Sequence, residues 1–215
     1  MTDRQHYSPG PATGAQVRSD GEKRTLILVR ELRHPREKVW QALTNPAHLH
    51  EWAPFDADAS LATPGATVKL TTVGAPTPRI TETRVTETRV TETRVTETRV
   101  TETRVTETKV TRADAPHLLE YNWGGFNMRW ELESMGDGTR LTLWTNIGPR
   151  FISMGAAGWH ICFDVLAHLL DGDPLGRIVG PDAIKFGGWQ RLNAEYAKQF
   201  GITPPNWPPN TPQKS

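Results

Sequence analysis

The sequence predicts an α+β fold in which a curved antiparallel sheet wraps around one long helix near the C-terminal end. Three observations carry this reading. From Gly155 to Asp171 the apolar residues recur at helical spacing and cover an unusually wide arc. Elsewhere, short segments alternate apolar and polar residues and are separated by turn residues. The strands precede the helix rather than alternating with helices, which favours an antiparallel sheet over a parallel one.

In the long helix, Trp159, Cys162, Phe163, Leu166 and Leu170 fall at i, i+3, i+4, i+7 and i+11, and Ile161, Val165 and Leu169 widen the stripe. A helix that is apolar around about half its circumference must be covered on more than one side, and only the alternating strands can do so. At 215 residues and 36% hydrophobic content, the chain has length for one well-buried domain. The charge balance, 25 basic against 24 acidic residues, offers no electrostatic footprint for nucleic acid or an anionic membrane, so neither is expected as a partner. The first residues lack the apolar core of a signal peptide, and no apolar run is long enough to span a membrane, so a cytoplasmic location is expected. The single cysteine, Cys162, lies on the apolar face of the helix and reads as a buried structural residue.

In chain order, residues 1–22 mix Pro, Gly, Ser and charge without periodicity and read as a disordered tail before a single domain spanning 23–201. Thr25–Leu32 is a strand. Pro35 then opens a helix with Val39, Trp40 and Leu43 on one face, stopped at Asn45-Pro46, and a short helical turn follows in Pro46–Trp52. Ala66–Val73 alternates as a strand. Leu119, Tyr121 and Trp123 share a face of the segment His117–Trp123, the Gly124-Gly125 pair turns the chain, and Met128, Trp130 and Leu132 face inward on the next strand. Gly136-Asp137-Gly138 joins it to a strand with Leu141 and Leu143 inward. After a connection broken by Gly and Pro, Trp189, Leu192, Tyr196 and Phe200 mark a final amphipathic helix capped by Gly201, and 202–215 form a Pro-rich tail.

Residues 80–110 interrupt the domain with a tandem pentapeptide, Val-Thr-Glu-Thr-Arg and close variants. Its odd period turns each successive valine to the opposite face of a strand, and the Thr and Val content favours strand over helix. No turn residue interrupts it, so pairing register is weakly specified. It reads as an in-frame expansion of one strand segment, forming a projecting two-stranded ribbon, because excising Val85–Lys109 leaves an ordinary hairpin arm. An adhesive edge that drives self-association and a pentapeptide solenoid are the alternatives.

Pro35, Val39-Trp40, Ala42-Leu43-Thr44, Pro46, Leu49 and Trp52 spell P-x3-V-W-x-A-L-T-x-P-x2-L-x2-W. With Gly138-Thr139-Arg140-Leu141-Thr142-Leu143 and Gly158-Trp159 later in the chain, this resembles SRPBCC (START-like) domains of the group named for the activator of the heat-shock-protein-ninety ATPase. The resemblance covers about residues 24–171 apart from the repeat. It implies a helix-grip fold and a deep pocket between sheet and long helix for an apolar or amphipathic small molecule, with no catalytic residues, metal or cofactor to carry over.

The expected ligand-facing residues are Trp52, Tyr121, Trp123, Met128, Trp130, Leu141, Phe163 and Leu166, with a filled core as the alternative. Two other functions remain open: a co-chaperone acting on a chaperone partner through its surface, and a cyclase or hydrolase needing acids or bases inside the cavity. Polar clusters are sparse. His160, Asp164 and His168 stand four apart on the side opposite the apolar stripe, where a solvated face is expected rather than a metal site. His48, His50 and Glu51 read as exposed, and Asp56 and Asp58 as solvated loop residues near a pocket mouth.

Overall fold

The computed structural model describes residues 6–21, 23–74 and 104–203. Six antiparallel strands form the main sheet in the order β1 (Ala15–Asp20), β2 (Lys23–Leu32), β9 (Gly138–Asn146), β8 (Phe126–Met135), β7 (Leu118–Trp123) and β6 (Arg112–Asp114). A smaller sheet pairs β3 (Phe55–Ala57), β4 (Thr67–Thr72) and β5 (Val105–Lys109). Helices α1 (Arg36–Thr44) and α2 (Pro46–Trp52) connect β2 to the small sheet. The long helix α3 (Ile152–Leu170) lies in the grip of the main sheet, and α4 (Gly180–Lys185) and α5 (Gly187–Phe200) follow it.

Register explains why this sheet closes on α3. Leu28 of β2 stands opposite Leu143 of β9, Leu143 opposite Trp130 of β8, and Trp130 opposite Leu119 of β7, so one apolar row crosses four strands. A parallel row runs Leu26, Thr145, Met128, Tyr121. Because side chains alternate at period two, a slip of one residue would turn both rows to solvent, which fixes the pairing. The two-residue turns agree with it. Gly124 and Gly125 carry φ of 58° and 93° between the paired residues Trp123 and Phe126, a conformation that needs glycine.

Against these rows α3 buries Trp159, Phe163, Leu166 and Leu170, while Ile161 and Val165 are buried on its other sides, each large side chain contributing about 1.5–3 kcal/mol of transfer free energy. Trp130 meets Trp52, Trp159 and Phe163 with ring centroids 6.1, 5.5 and 6.0 Å apart, the first two pairs edge to face. Pro149 opens a single 3-10 turn, and the helix runs on from Ile152, three residues ahead of the sequence expectation. The helix-grip architecture of the expected fold is present.

The N-terminal expectation is corrected. Residues 15–20 of the expected tail form edge strand β1, paired with β2 from Ala15 opposite Leu28 to Asp20 opposite Lys23. Ahead of it Tyr7 is buried, stacked on Phe186 at 5.5 Å. The arm has no apolar periodicity of its own because it borrows the outer surfaces of α3 and α5. The Ala12 amide donates to Glu195 Oε2 at 2.8 Å, and Arg191 donates to the carbonyls of Pro9 and Gly10. At the other end, Gly201 adopts φ 65° as the expected cap of α5. The repeat expected over 80–110 lies outside the described residues up to position 103, and its last unit, Val105–Lys109, is β5, paired with β4.

Candidate functional site

A cavity of about 310 Å³ lies between the first half of α3, one end of the main sheet and the segment after Asp171. Helical spacing supplies its floor: Met154, Gly155, Gly158, Trp159 and Cys162 share one face of α3. From the sheet come Trp123, Met128 and Thr145. The third wall is the C-terminal segment, through Ile178, Val179, Ala183, Ile184 and Trp189. At the rim stand Phe126 and Phe151, 39% and 52% exposed, among the large apolar side chains the fold leaves open to water.

The wall side chains are held from behind. The Trp123 indole donates to Thr72 Oγ1 at 3.1 Å and meets Trp159 edge to face at 6.1 Å, which fixes both rings. The Thr145 hydroxyl is directed to Met128 Sδ at 3.5 Å and the Asn146 carbonyl at 3.4 Å. Cys162 is the one titratable side chain among the described lining residues, and burial pushes its thiol up to about 12, so it is a neutral, soft part of the wall. Such a surface can hold apolar matter; it presents no carboxylate, imidazole or amine to move a proton.

Of the eight residues expected to face a ligand, Trp123 and Met128 line this cavity. Trp52, Tyr121, Trp130, Leu141, Phe163 and Leu166 are buried in the core and are not among the residues that line this cavity. There the Trp52 indole donates to the Ala42 carbonyl at 3.0 Å and the Trp130 indole to Tyr121 Oη at 3.1 Å, and burial drives the Tyr121 hydroxyl to higher pKa. Alternation identifies an inward face but cannot say where along that face helix and sheet diverge. Phe126, Phe151 and the residues from Ile178 to Trp189 were not anticipated at a ligand. Their signals were faint: apolar residues beside glycine turns, in a stretch too broken for periodicity.

The expectation of a solvated face at His160, Asp164 and His168 is corrected. His160 is 2% exposed, covered by α5 and the N-terminal arm. Arg30, which alternation places on the inward face of β2 with Leu26 and Leu28, reaches Asp164 Oδ1 at 2.8 Å. The Tyr7 hydroxyl donates to Asp164 Oδ2 at 2.6 Å. Tyr196 donates its single proton to the Thr13 carbonyl at 2.8 Å, so its 2.7 Å contact with His160 Nδ1 requires that nitrogen to carry a hydrogen. Burial depresses the His160 pKa, partly countered by the Asp164 charge and reinforced by Arg30 and Arg191. His168 instead meets Tyr7 edge to face at 6.1 Å. The cluster fastens three distant segments onto α3, and among the described residues no three His, Cys, Asp or Glu side chains gather as metal ligands.

His48 and His50 are exposed as expected. His50 Nδ1 lies 2.9 Å from Asp56 Oδ1, which also takes a 2.6 Å bond from Arg177, while Asp58 Oδ1 accepts from the Lys69 amide at 2.8 Å. Burial alone would raise the Asp56 pKa, but hydrogen bonds from Arg177 and His50 and their charges outweigh it and hold the carboxyl below its usual value. Arg177 also donates to the Leu49 carbonyl at 3.1 Å. These bonds tie the segment leading into the cavity's third wall to α2 and β3. Among the described residues no helix is long and apolar enough to cross a membrane.

Solved structures share this architecture. A conserved protein of unknown function from Enterococcus faecalis is similar with a TM-score of 0.58 at 13% identity, over 88% of this chain and 92% of the other. A protein from Bordetella parapertussis matches with a TM-score of 0.53 at 21% identity, over 92% and 96% of the two chains. CalU16 from Micromonospora echinospora matches with a TM-score of 0.52 at 19% identity, over 89% and 98%. At these identities the likeness concerns the fold. No curated protein matches the sequence. The family described as Activator of Hsp90 ATPase homolog 1-like protein matches residues 33–171, from the loop before α1 to the end of α3. With more than half of its length so matched, the chain belongs to the family of Activator of Hsp90 ATPase homolog 1-like proteins.

Proposed function

We propose that the protein binds a hydrophobic or amphipathic small molecule in the cavity between the sheet, α3 and the segment Ile178–Trp189, and does not transform it. The observation that carries this reading is the composition of the cavity walls: about 310 Å³ bounded mostly by aromatic, aliphatic and thioether groups, with Thr145, Asn146 and the neutral Cys162 as the polar side chains among the described lining residues. That volume stands at the lower end of the range for ligand pockets, roughly 300–1,000 Å³, and suits a compact apolar body with its polar end at the rim. A cyclase or hydrolase would place an acid or base among the lining residues, and none of the described ones is such a group.

Native mass spectrometry of protein purified from its own cells, before and after extraction with organic solvent, tests this. A discrete extra mass lost on extraction is expected. A bare mass in both samples, with no uptake of an apolar fluorescent probe, would overturn the reading and turn attention to action on a chaperone through the outer surface.

A further inference from the structure

The floor of the cavity contains two glycines inside a helix, Gly155 and Gly158, and their surroundings differ. Glycine is the least favourable residue in a helix interior after proline, because it surrenders the most backbone freedom. A glycine retained there calls for a reason. For Gly155 packing contributes one: a Cβ would come 2.4 Å from Ile147 Cδ1, so that side chain would have to turn aside, and would touch Leu26 Cδ2 at 3.7 Å. For Gly158 packing supplies none, since a Cβ would meet nothing within 4 Å. Nor does backbone conformation, because Gly158 lies within regular helix rather than among the glycines with positive φ. The empty space beside Gly158 is the cavity itself, bordered on α3 by Trp159 and Cys162.

We infer that Gly158 is the size gauge of the binding site. The missing side chain lets an apolar ligand lie directly against the α3 backbone, and any substituent on this carbon competes with the ligand for the same volume. The inference rests on the cavity being a ligand site and adds which residue sets the breadth of molecule it accepts. It selects a ligand with a broad apolar face that reaches the helix backbone, rather than a narrow chain that would pass above a methyl group.

The test uses the full chain with Gly158→Ala and Gly158→Leu, reading uptake of N-phenyl-1-naphthylamine by fluorescence titration and melting by circular dichroism. Gly158→Ala, placing a methyl group in open space and removing a helix-breaking residue, should melt no lower than the parent while binding the probe more weakly. Gly158→Leu, projecting an isobutyl group into the cavity, should weaken binding by at least about tenfold, corresponding to roughly 1.4 kcal/mol. Should the leucine variant fail to fold, the alanine variant decides. Parent-like affinity in folded variants would overturn the role of Gly158 and leave the cavity reading standing. A lower melting temperature for Gly158→Ala would overturn it as well, by showing that the space is not open. A parent chain that takes up no probe and carries no extractable mass would remove both readings together.

Discussion

Replacing Asp164 with alanine should unfasten the N-terminal arm and lower stability by about 3 kcal/mol. Asp164 is 13% exposed and Arg30 27%, so the pair is mostly but not wholly withdrawn from water. Breaking a buried ion pair by removing one partner costs roughly 3–5 kcal/mol, and the residual hydration of Arg30 keeps the loss at the lower end. The guanidinium would retain a 3.4 Å contact with the His160 carbonyl, which offsets a small part of the lost charge pairing. Tyr7 would lose the acceptor of its 2.6 Å bond, a charged hydrogen bond worth about 1.5–3 kcal/mol when intact, and Tyr7→Phe should therefore cost about 1.5–2 kcal/mol by itself, the lower part of that range because Arg30 still pairs Asp164. For a chain of this length each kcal/mol shifts the melting temperature by about 2–4 °C, so Asp164→Ala should melt about 6–12 °C lower. Urea and thermal denaturation followed by circular dichroism give the energies, and limited proteolysis reports whether residues 6–14 have come loose. The double variant should be less damaged than the sum of the two, since both remove one interaction. An Asp164→Ala protein within about 1 kcal/mol of the parent, with the arm still protected, would refute the reasoning.

Two further outcomes follow from the same geometry. Since burial depresses the His160 pKa, the unfolded chain binds a proton near pH 6.5 that the folded chain takes up only at lower pH; this contribution to stability is whole above about pH 6.5 and is lost as pH falls toward the folded value. Urea titrations between about pH 5 and 7.5 should show stability rising with pH, and His160→Gln should flatten that slope; an equal slope in both would show that His160 is not its source. Gly180 has φ 56°, and a Cβ there would lie 2.4 Å from the Gly74 carbonyl oxygen, so Gly180→Ala adds a backbone clash to a left-handed cost of roughly 1–2 kcal/mol and should loosen α4. Hydrogen exchange should then rise in residues 178–185 and stay unchanged in the main sheet, whereas Gly172→Ala, with φ 80° but open space, should cost only the conformational part.

The elements that local chemistry specifies were legible in advance. Strand alternation from Leu119 to Trp123 and from Met128 to Leu132, the glycine turns at 124–125 and 136–138, proline at the start of α1 and Gly201 at the end of α5 each depend on a few neighbouring residues, and each appears where the pattern placed it. The wide apolar arc of α3 likewise announced a helix covered on several sides. What it could not announce was which distant segments do the covering. His160 and Asp164 look like a wet face because the residues that enclose them sit either in a segment without apolar periodicity of its own, as Tyr7 and Thr13 do, or, like Tyr196, on the apolar face of another helix whose docking site the sequence does not name. Arg30 shows the same dependence: its place in the alternation puts a charge on the inward face of the sheet, where Asp164, the His160 carbonyl and residual solvent contact balance it.

The candidate site divides along the same line. The inward aromatic faces of β7 and β8 are evident, yet six of the eight residues expected at a ligand are buried away from the lining of the cavity. The opening lies where α3 leaves the sheet and the chain after Asp171 returns across the gap, anchored by Arg177 on Asp56 and by the close approach of Gly180 to Gly74. Periodicity is a property of one segment and reports which of its faces avoids water. Whether that face meets another side chain or empty space is set by the distance between segments far apart in sequence, and that distance exists only in the folded chain.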